Sequence, residues 1–308
     1  MVATYSSGIR MSKSNTVLIS NPSAGRGGAS RAHEVARFCE AMKARGVEVE
    51  VMNTTAQGEA TQLAARAAEN EGATVIVSGG DGTINEALQG LVGKNARLAI
   101  WPRGTANVLA REIAMPTDLA KAAEIIARGK FKRIYMGCAT LEETGERRYF
   151  LLMAGIGLDA SVVEGTRPGL KRRVGKAAFW YAGLEHVLGW EPVSFKLEVG
   201  GETFPATFAA IGNGSRYGGG LRVTPRARLD QPEFEICIIN SRSRLRYLGL
   251  IPAILRGDLT DQPPDLRFIR ATRARATGKV AVQVDGELIG QLPMSFEIVP
   301  GQIELICP

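Results

Sequence analysis

Thr74-Val75-Ile76-Val77-Ser78-Gly79-Gly80-Asp81-Gly82-Thr83-Ile84-Asn85-Glu86 is the stretch that decides how this chain folds. Thr74 to Ser78 is a short run whose first four residues are β-branched, the composition of a buried strand. Ile84 to Leu91 then has the spacing of a short helix. A strand that ends in paired glycines and opens directly into a helix sets two devices side by side. The glycines let a backbone approach a polyphosphate without a Cβ clash. The helix N-terminus points N–H donors at negative charge. Asp81 can hold Mg²⁺ directly or through water, and Thr83 can donate to a phosphate oxygen. A plain tight turn with a helix cap uses some of these residues, but it does not demand strand, glycines, acid and hydroxyl in this order.

Working outward, the first 130 or so residues alternate strand and helix patterns. Thr16 to Ser20 reads as a strand, and Ala32, Val35, Ala36, Cys39 and Met42 repeat at helical spacing up to Gly46. Val47 to Met52 reads as a strand, Glu59 to Glu71 as a helix, Arg97 to Trp101 as a strand and Asn107 to Ile113 as a helix. Leu119, Ala122, Ala123 and Ile126 mark a further helix, capped near Thr117 or Asp118. This rhythm predicts a parallel sheet with helices on both faces, and ligands in such folds bind beyond the carboxyl ends of the strands. Two further loops follow strands at that end. Asn21-Pro22-Ser23-Ala24-Gly25-Arg26-Gly27-Gly28 offers donors from Asn21 and Ser23 and close approach at Gly25, and it lacks the Gly-Lys-Ser/Thr of a Walker loop. Pro102-Arg103-Gly104-Thr105-Ala106-Asn107 repeats the strand, glycine, hydroxyl and helix-start order. All three loops are expected to converge on one crevice.

After Phe131 strand patterns dominate: Arg133 to Thr140, Arg148 to Ala154, Val193 to Val199, Thr203 to Ile211, Glu233 to Asn240, Leu266 to Ala274, Val280 to Val284 and Met294 to Val299. Helical stretches interrupt them near Lys176 to Leu188 and Leu245 to Leu255. The expected architecture is therefore an α/β domain with a parallel sheet over 14–133 and a mostly antiparallel β-sandwich over 134–300, with 301–308 packing back on the first domain.

Composition narrows the partners. A net charge of +7 and a pI near 9.4 suit polyphosphates, anionic lipid surfaces or nucleic acid. Aromatics are only 6 % and no nucleic-acid motif is present, so no nucleic-acid partner is expected. Cys39, Cys138, Cys237 and Cys307 form no CxxC pair, which speaks against structural zinc and fits reduced core residues in the cytoplasm. Met1 to Asn15 is polar, without the apolar centre of a signal peptide, and no apolar run of about 18 residues occurs. The expected membrane contact is peripheral.

The three loops, in this order, resemble the diacylglycerol kinase catalytic family in its soluble bacterial lipid-kinase branch, related to sphingosine and ceramide kinases. Ala154-Gly155-Ile156-Gly157-Leu158-Asp159-Ala160, Gly212-Asn213-Gly214 with Tyr217-Gly218-Gly219-Gly220, and Val284-Asp285-Gly286-Glu287 resemble its later motifs. The resemblance runs from about Thr16 to the C-terminus. Its glycine turn is shared with NAD kinases and, in shorter form, with phosphofructokinases, so it implies an N-terminal domain of that kind. It further implies a lipid kinase that moves the γ-phosphate of ATP, with Mg²⁺, onto a lipid hydroxyl, diacylglycerol or similar, at the inner face of the cytoplasmic membrane.

Carried over residue by residue, the resemblance places nucleotide contacts at Gly79, Gly80, Asp81, Gly82, Thr83 and Asn85, at Thr105, and at Thr54 through its spacing to Gly58, and the loop around Thr105 adds Gly104 and Asn107 as candidates. Catalytic carboxylates fall on Asp285 and Glu287, and Asp159 joins a metal network. Two acids flanking a glycine at a strand end can reach one cleft, one as base and the other to orient it or hold metal. An Asp-Gly hairpin with surface acids would read the same locally. The family's Asp-Asp-Gly after the Tyr-Gly-Gly-Gly segment is here Asp230-Gln231-Pro232; a structural Mg²⁺ would rest on Asp230 and Gln231, with backbone carbonyls of Arg228 and Glu233.

Basic residues cluster at Lys171, Arg172, Arg173 and Lys176, at Arg242, Arg244 and Arg246, and at Arg267, Arg270, Arg273 and Arg275. Phe179, Trp180, Tyr181, Leu184 and Leu188 could form a membrane-docking face or pack on the second domain. The alternatives are an NAD kinase-like phosphotransferase and a lipid- or nucleotide-binding regulator without catalysis. The pattern is silent on oligomeric state, and a homodimer stays open.

Overall fold

The structure, a computed structural model, describes residues 15–23, 29–158, 189, 191–262, 264–299 and 303–308. The first sheet contains β1 (Thr16–Ser20), β2 (Glu50–Asn53), β3 (Ala73–Gly79), β4 (Ala96–Pro102), β5 (Phe131–Ile134) and β18 (Ile303–Ile306). Its order is β2-β1-β3-β4-β18-β5. β18 runs parallel to β4, with Leu305 opposite Leu98, and antiparallel to β5.

Each apolar run of this sheet serves two cores, because side chains alternate faces along a strand. Val17, Ile19, Val75, Val77, Leu98 and Ile100 meet α2 (Glu59–Ala67) and α3 (Asp81–Leu91) on one face. Leu18, Ile76, Ala99 and Trp101 meet α1 (Ala29–Lys43) and α5 (Leu119–Arg128) on the other. Phe38 stacks on Trp101 with ring centroids 4.3 Å apart. α4 (Val108–Glu112) follows the loop after β4.

The second domain is two antiparallel six-stranded sheets packed face to face. One has the order β10-β9-β14-β17-β6-β7, from β6 (Gly137–Leu141), β7 (Arg147–Phe150), β9 (Phe195–Val199), β10 (Glu202–Ala206), β14 (Arg273–Thr277) and β17 (Met294–Ile298). The other has the order β13-β12-β11-β8-β15-β16, from β8 (Met153–Gly157), β11 (Phe208–Gly212), β12 (Phe234–Ile239), β13 (Leu266–Ala271), β15 (Ala281–Val284) and β16 (Glu287–Gln291). Phe150, Phe234, Ile156, Ile236, Leu197 and Phe296 fill the space between them. The second sheet's outer face meets the first domain and α6 (Arg244–Arg256), so β8, β11 and β12 are buried throughout.

Four stretches that read as single strands each change sheets midway. Arg133 to Thr140 divides into β5 and β6, Arg148 to Ala154 into β7 and β8, Thr203 to Ile211 into β10 and β11, and Leu266 to Ala274 into β13 and β14. At one corner the Thr207 hydroxyl meets the Ile239 and Ser241 carbonyls and the Tyr247 hydroxyl at 2.7–3.1 Å. Local apolarity is unbroken across such a corner, so the pattern carries no mark of it. The β16 strand was not expected; it pairs with β15 as a hairpin with an irregular register at Val282/Gln283.

α2 and α3 touch at Gly90, where a Cβ would lie 2.2 Å from the Thr61 carbonyl oxygen. Gly90→Ala should therefore cost stability of about 1–3 kcal/mol, the range for overpacking, although alanine is the better helix former. A urea denaturation midpoint equal to or above that of the parent chain would contradict this contact.

Candidate active site

The carboxyl ends of β1, β3 and β4 bring their loops into direct contact. A Cβ on Gly104 would lie 2.5 Å from the Gly80 Cα, so the two glycine turns pack backbone on backbone. The Arg103 N–H donates to the Gly79 carbonyl at 2.9 Å. Asp81 binds the third element: its Oδ1 accepts from the Val108 and Leu109 N–H groups at 2.7 and 3.4 Å. It thus caps α4 from a different helix. Enclosure holds the Asp81 pKa above the ordinary carboxylate range, with the α4 N–H groups pulling the other way.

Asn107 is left-handed (φ 48°), a conformation asparagine tolerates, and closes its loop by accepting from the Gly104 N–H and donating to the Gly104 carbonyl. Asn21 donates to the Thr83 hydroxyl at 3.1 Å and accepts from the Ser23 N–H at 2.9 Å. The Thr54 N–H donates to the Ser20 carbonyl at 3.0 Å, and the residue is buried. Thr105 and Gly82 are exposed. A Cβ on Gly82 would meet nothing within 4 Å, so the protein's own packing does not require a glycine there. Close approach of a ligand backbone or phosphate would. Gly25 and Asp159 lie outside the described residues, as do the basic cluster Lys171 to Lys176 and the aromatic stretch Phe179 to Leu188.

The acidic turn of the second domain reaches this cluster. Asp285, left-handed at φ 46°, turns its carboxylate inward. Oδ1 accepts from Leu152 and Met153 N–H at 2.9 and 3.0 Å. Oδ2 accepts from Leu151 N–H at 2.8 Å and from the Asn85 amide of α3 at 3.2 Å. Loss of water raises its pKa, opposed by those backbone N–H groups and the Asn85 amide. Four donors fill the roughly four lone-pair positions of a carboxylate. Glu287 stands differently: 42 % of its side chain is exposed, and Oε2 is held by Arg148.

Gln89, absent from the sequence expectations, completes the joint. Its amide donates to the Tyr149 carbonyl at 2.9 Å and accepts the Tyr149 N–H at 3.0 Å, as a strand neighbour would. Asn85 and Gln89 are one helical turn apart on α3, and a polar pair at that spacing on a largely buried helix was a readable signal. Glu112 of α4 forms a second joint, accepting from the Ser215 N–H and hydroxyl, both at 3.0 Å. Behind the loops, Arg31 donates to the Ser78 carbonyl and hydroxyl at 3.1 and 2.7 Å, lies over Trp101, and shares Glu34 with Arg103.

At the Asp230 turn the residues do not fit a structural Mg²⁺. Both Asp230 oxygens are held by Arg228 at 2.8–2.9 Å. The Arg228 carbonyl accepts the Gln231 N–H at 3.1 Å, and Gln231 brings no charge. Among the described residues, no group of three or more His, Cys, Asp or Glu is placed to hold a metal ion.

The family model of the diacylglycerol kinase catalytic domain matches residues 15–139, and that of the YegS C-terminal NAD kinase beta sandwich-like domain matches 153–307. A diacylglycerol kinase of Mycobacterium tuberculosis is 32 % identical over 301 residues, covering 94 % of each chain. One from Bacillus subtilis is 28 % identical over 299 residues, covering 94 % of this chain and 95 % of its own. The crystal structure of a provisionally assigned diacylglycerol kinase from Bacillus anthracis superposes with a TM-score of 0.79 at 25 % identity, over 95 % of this chain and 96 % of that one.

Asp285→Asn tests the joint, because asparagine tolerates the left-handed backbone but offers one acceptor oxygen in place of two. It should lose about 1–3 kcal/mol of stability, the cost of stranding a buried donor. Glu287→Gln, at a half-exposed site, should stay within about 0.5 kcal/mol of the parent. Equal urea midpoints for both variants would show that the Asp285 carboxylate does not hold the two domains together.

Proposed function

Because the chain belongs to the diacylglycerol kinase catalytic family, we propose that it transfers the γ-phosphate of ATP to a hydroxyl of a membrane lipid, diacylglycerol or a lipid of similar chemistry. The observation that carries this reading is the Asn85–Asp285 hydrogen bond at 3.2 Å, which joins the helix of the glycine turn to the acidic hairpin of the second domain. A phosphate donor bound at the loops and an acceptor near the hairpin would then share one gap.

On this reading the turns at Gly79–Asp81 and Gly104–Asn107 receive the ATP phosphates. The N–H groups that open α3 supply positive partial charge, while those of Val108 and Leu109 at the start of α4 are taken by Asp81. Phosphoryl transfer has a loose transition state, so positioning and charge stabilisation carry most of the catalysis. The bond to the β-phosphate oxygen breaks, a bond from the acceptor oxygen forms, ADP leaves, and the acceptor's proton goes to a base. We assign that base to Glu287, oriented by Arg148. Asp285, whose lone pairs are spent on donors, holds the turn and positions Glu287. Mg²⁺ accompanying ATP supplies charge screening when bound. Asp81 is the acid assigned to it, because its carboxylate opens α3 beside the glycine turns, where a cation favours the ionised form. No step is routed through the Asp230 turn.

An ATP donor and a lipid acceptor fit a protein working at the inner face of the cytoplasmic membrane. No described helix is long and apolar enough to cross a membrane, and contact on this reading is peripheral. A homodimer is compatible with the reading and carries no part of it. The NAD kinase-like alternative draws on the second family model's description. The non-catalytic alternative draws on Asp230-Gln231-Pro232 and its arginine-held carboxylates.

Labelled phosphate transfer from ATP with Mg²⁺ to lipids in mixed micelles, compared with transfer to NAD without lipid, decides among the three. Phosphorylated lipid is the expected product. Transfer to NAD alone would establish the first alternative, and ATP binding without turnover the second. Glu287→Gln should lower kcat by about 10²–10⁴-fold, the usual contribution of a general base, with the KM for ATP little changed. Unaltered turnover in this variant would remove Glu287 from the chemistry.

A further inference from the structure

An arginine carries its N–H donors in a flat fork, and enclosing a donor without an acceptor is unfavourable. Arg246 shows how a half-buried guanidinium is usually held. At 27 % exposure, its Nε and Nη2 donate to the Asp265 carboxylate at 2.7 and 2.9 Å, and its Nη1 to Gln262 at 2.9 Å. Arg148 is enclosed to a similar degree, at 23 % exposure, and is held differently. Among the described residues it meets one acceptor atom, the Oε2 of Glu287, through Nη2. Its Nε is enclosed and meets no acceptor.

The place of Arg148 follows from the strand that carries it. Side chains alternate faces along β7. Arg147 and Tyr149 share one face, with the Arg147 guanidinium 5.4 Å from the ring centroid. Arg148 shares the other with Phe150, which is buried between the two sheets. The guanidinium therefore issues from the inner side of the sandwich, and it meets Glu287 where β16 begins. The next residue, Tyr149, has both its N–H and its carbonyl bound by Gln89 of α3. α3 opens at Asp81 beside the glycine turns. Arg148 is thus one residue from a joint to the nucleotide-side helix and in contact with the assigned base.

We propose that Arg148 is a catalytic residue of the transfer, holding the phosphoryl oxygens as the group crosses to the acceptor. The assignment rests on the kinase reading above, in which Glu287 takes the acceptor's proton. The acceptor oxygen bonds to the γ-phosphorus, the bond to the bridging oxygen breaks, and ADP leaves with that electron pair. The proton that passes to Glu287 cancels the charge that Arg148 was paired with. The transferred group keeps two negative charges and then stands on the acceptor side, beside the same guanidinium. A planar fork matches phosphate oxygens, whose charge is spread in the transition state. An arginine that only oriented Glu287 would be best served by a two-point contact with its carboxylate. The single-point contact leaves the rest of the fork for a second anion.

A double-mutant cycle separates the two roles. Turnover of diacylglycerol in mixed micelles with labelled ATP and Mg²⁺ is measured for the parent, Arg148→Met, Glu287→Gln and the double variant. If Arg148 acted only through Glu287, its loss would change nothing once Glu287 is replaced. The expected result is a further fall in kcat of about 10²-fold in the Glu287→Gln background, the effect of losing one transition-state donor. The KM for ATP should change little, because the contact forms on the acceptor side. Arg148→Lys, which keeps the charge without the fork, should recover part of the rate. Thermal unfolding of Arg148→Met should stay close to the parent's, since the change removes an enclosed donor without an acceptor and a half-exposed ion pair. Should Arg148→Met not fold, Arg148→Lys carries the same cycle, with a smaller fall expected in both backgrounds. Equal kcat for Glu287→Gln and the double variant overturns the proposal and leaves Arg148 a positioning residue. A parent that transfers phosphate to no lipid removes the kinase reading and this assignment together.

Discussion

The Asp285 carboxylate, turned away from solvent at a hairpin tip, accepts three consecutive backbone N–H groups and one side-chain amide. The N–H groups of Leu151, Leu152 and Met153 lie where the chain passes from β7 in one sheet to β8 in the other. At such a corner the backbone leaves one ladder before joining the next, and its donors need other acceptors. One carboxylate supplies them, and its remaining capacity goes to Asn85 on α3. The same group closes a corner of the sandwich and sets the distance between the domains. Its dense hydrogen bonding offsets part of the desolvation that raises its pKa.

A similar economy operates on the first domain. Asp81 caps α4, so the loops after β3 and β4 cannot move independently. The Gly80–Gly104 approach removes the slack that side chains would leave. Arg31 anchors Ser78 from behind while stacking on Trp101. Rigid turns of this kind are preorganised, and on the kinase reading their N–H dipoles meet phosphate charge without first reorienting. The joints at Gln89 and Glu112 tie α3 and α4 to the second domain.

Much of this was legible from residue order. Strand, paired glycines, acid and hydroxyl predicted the loop at Gly79–Thr83, and the period of the first 130 residues predicted a parallel sheet with two helical layers. The second domain was legible as strands but not as strand partners. Four stretches ran through corners without any change of composition, because both sides of a corner face an apolar interior. The contrast between Asp285 and Glu287 was also hidden. Two acids around one glycine look alike in sequence, and only packing turned one onto four donors and left the other at the open side beside Arg148.

By itself the sequence determined the local chemistry: which turns are stripped of side chains, which helices they open, and which acids and amides stand beside them. These follow from neighbours a few residues apart, where sterics and hydrogen-bonding capacity act directly. Tertiary structure alone decided that Asn85 meets Asp285, two hundred positions away, that β18 inserts between β4 and β5, and that α6 turns leucines outward. Such pairings depend on how buried faces are shared among whole sheets, a balance no short stretch of chain encodes.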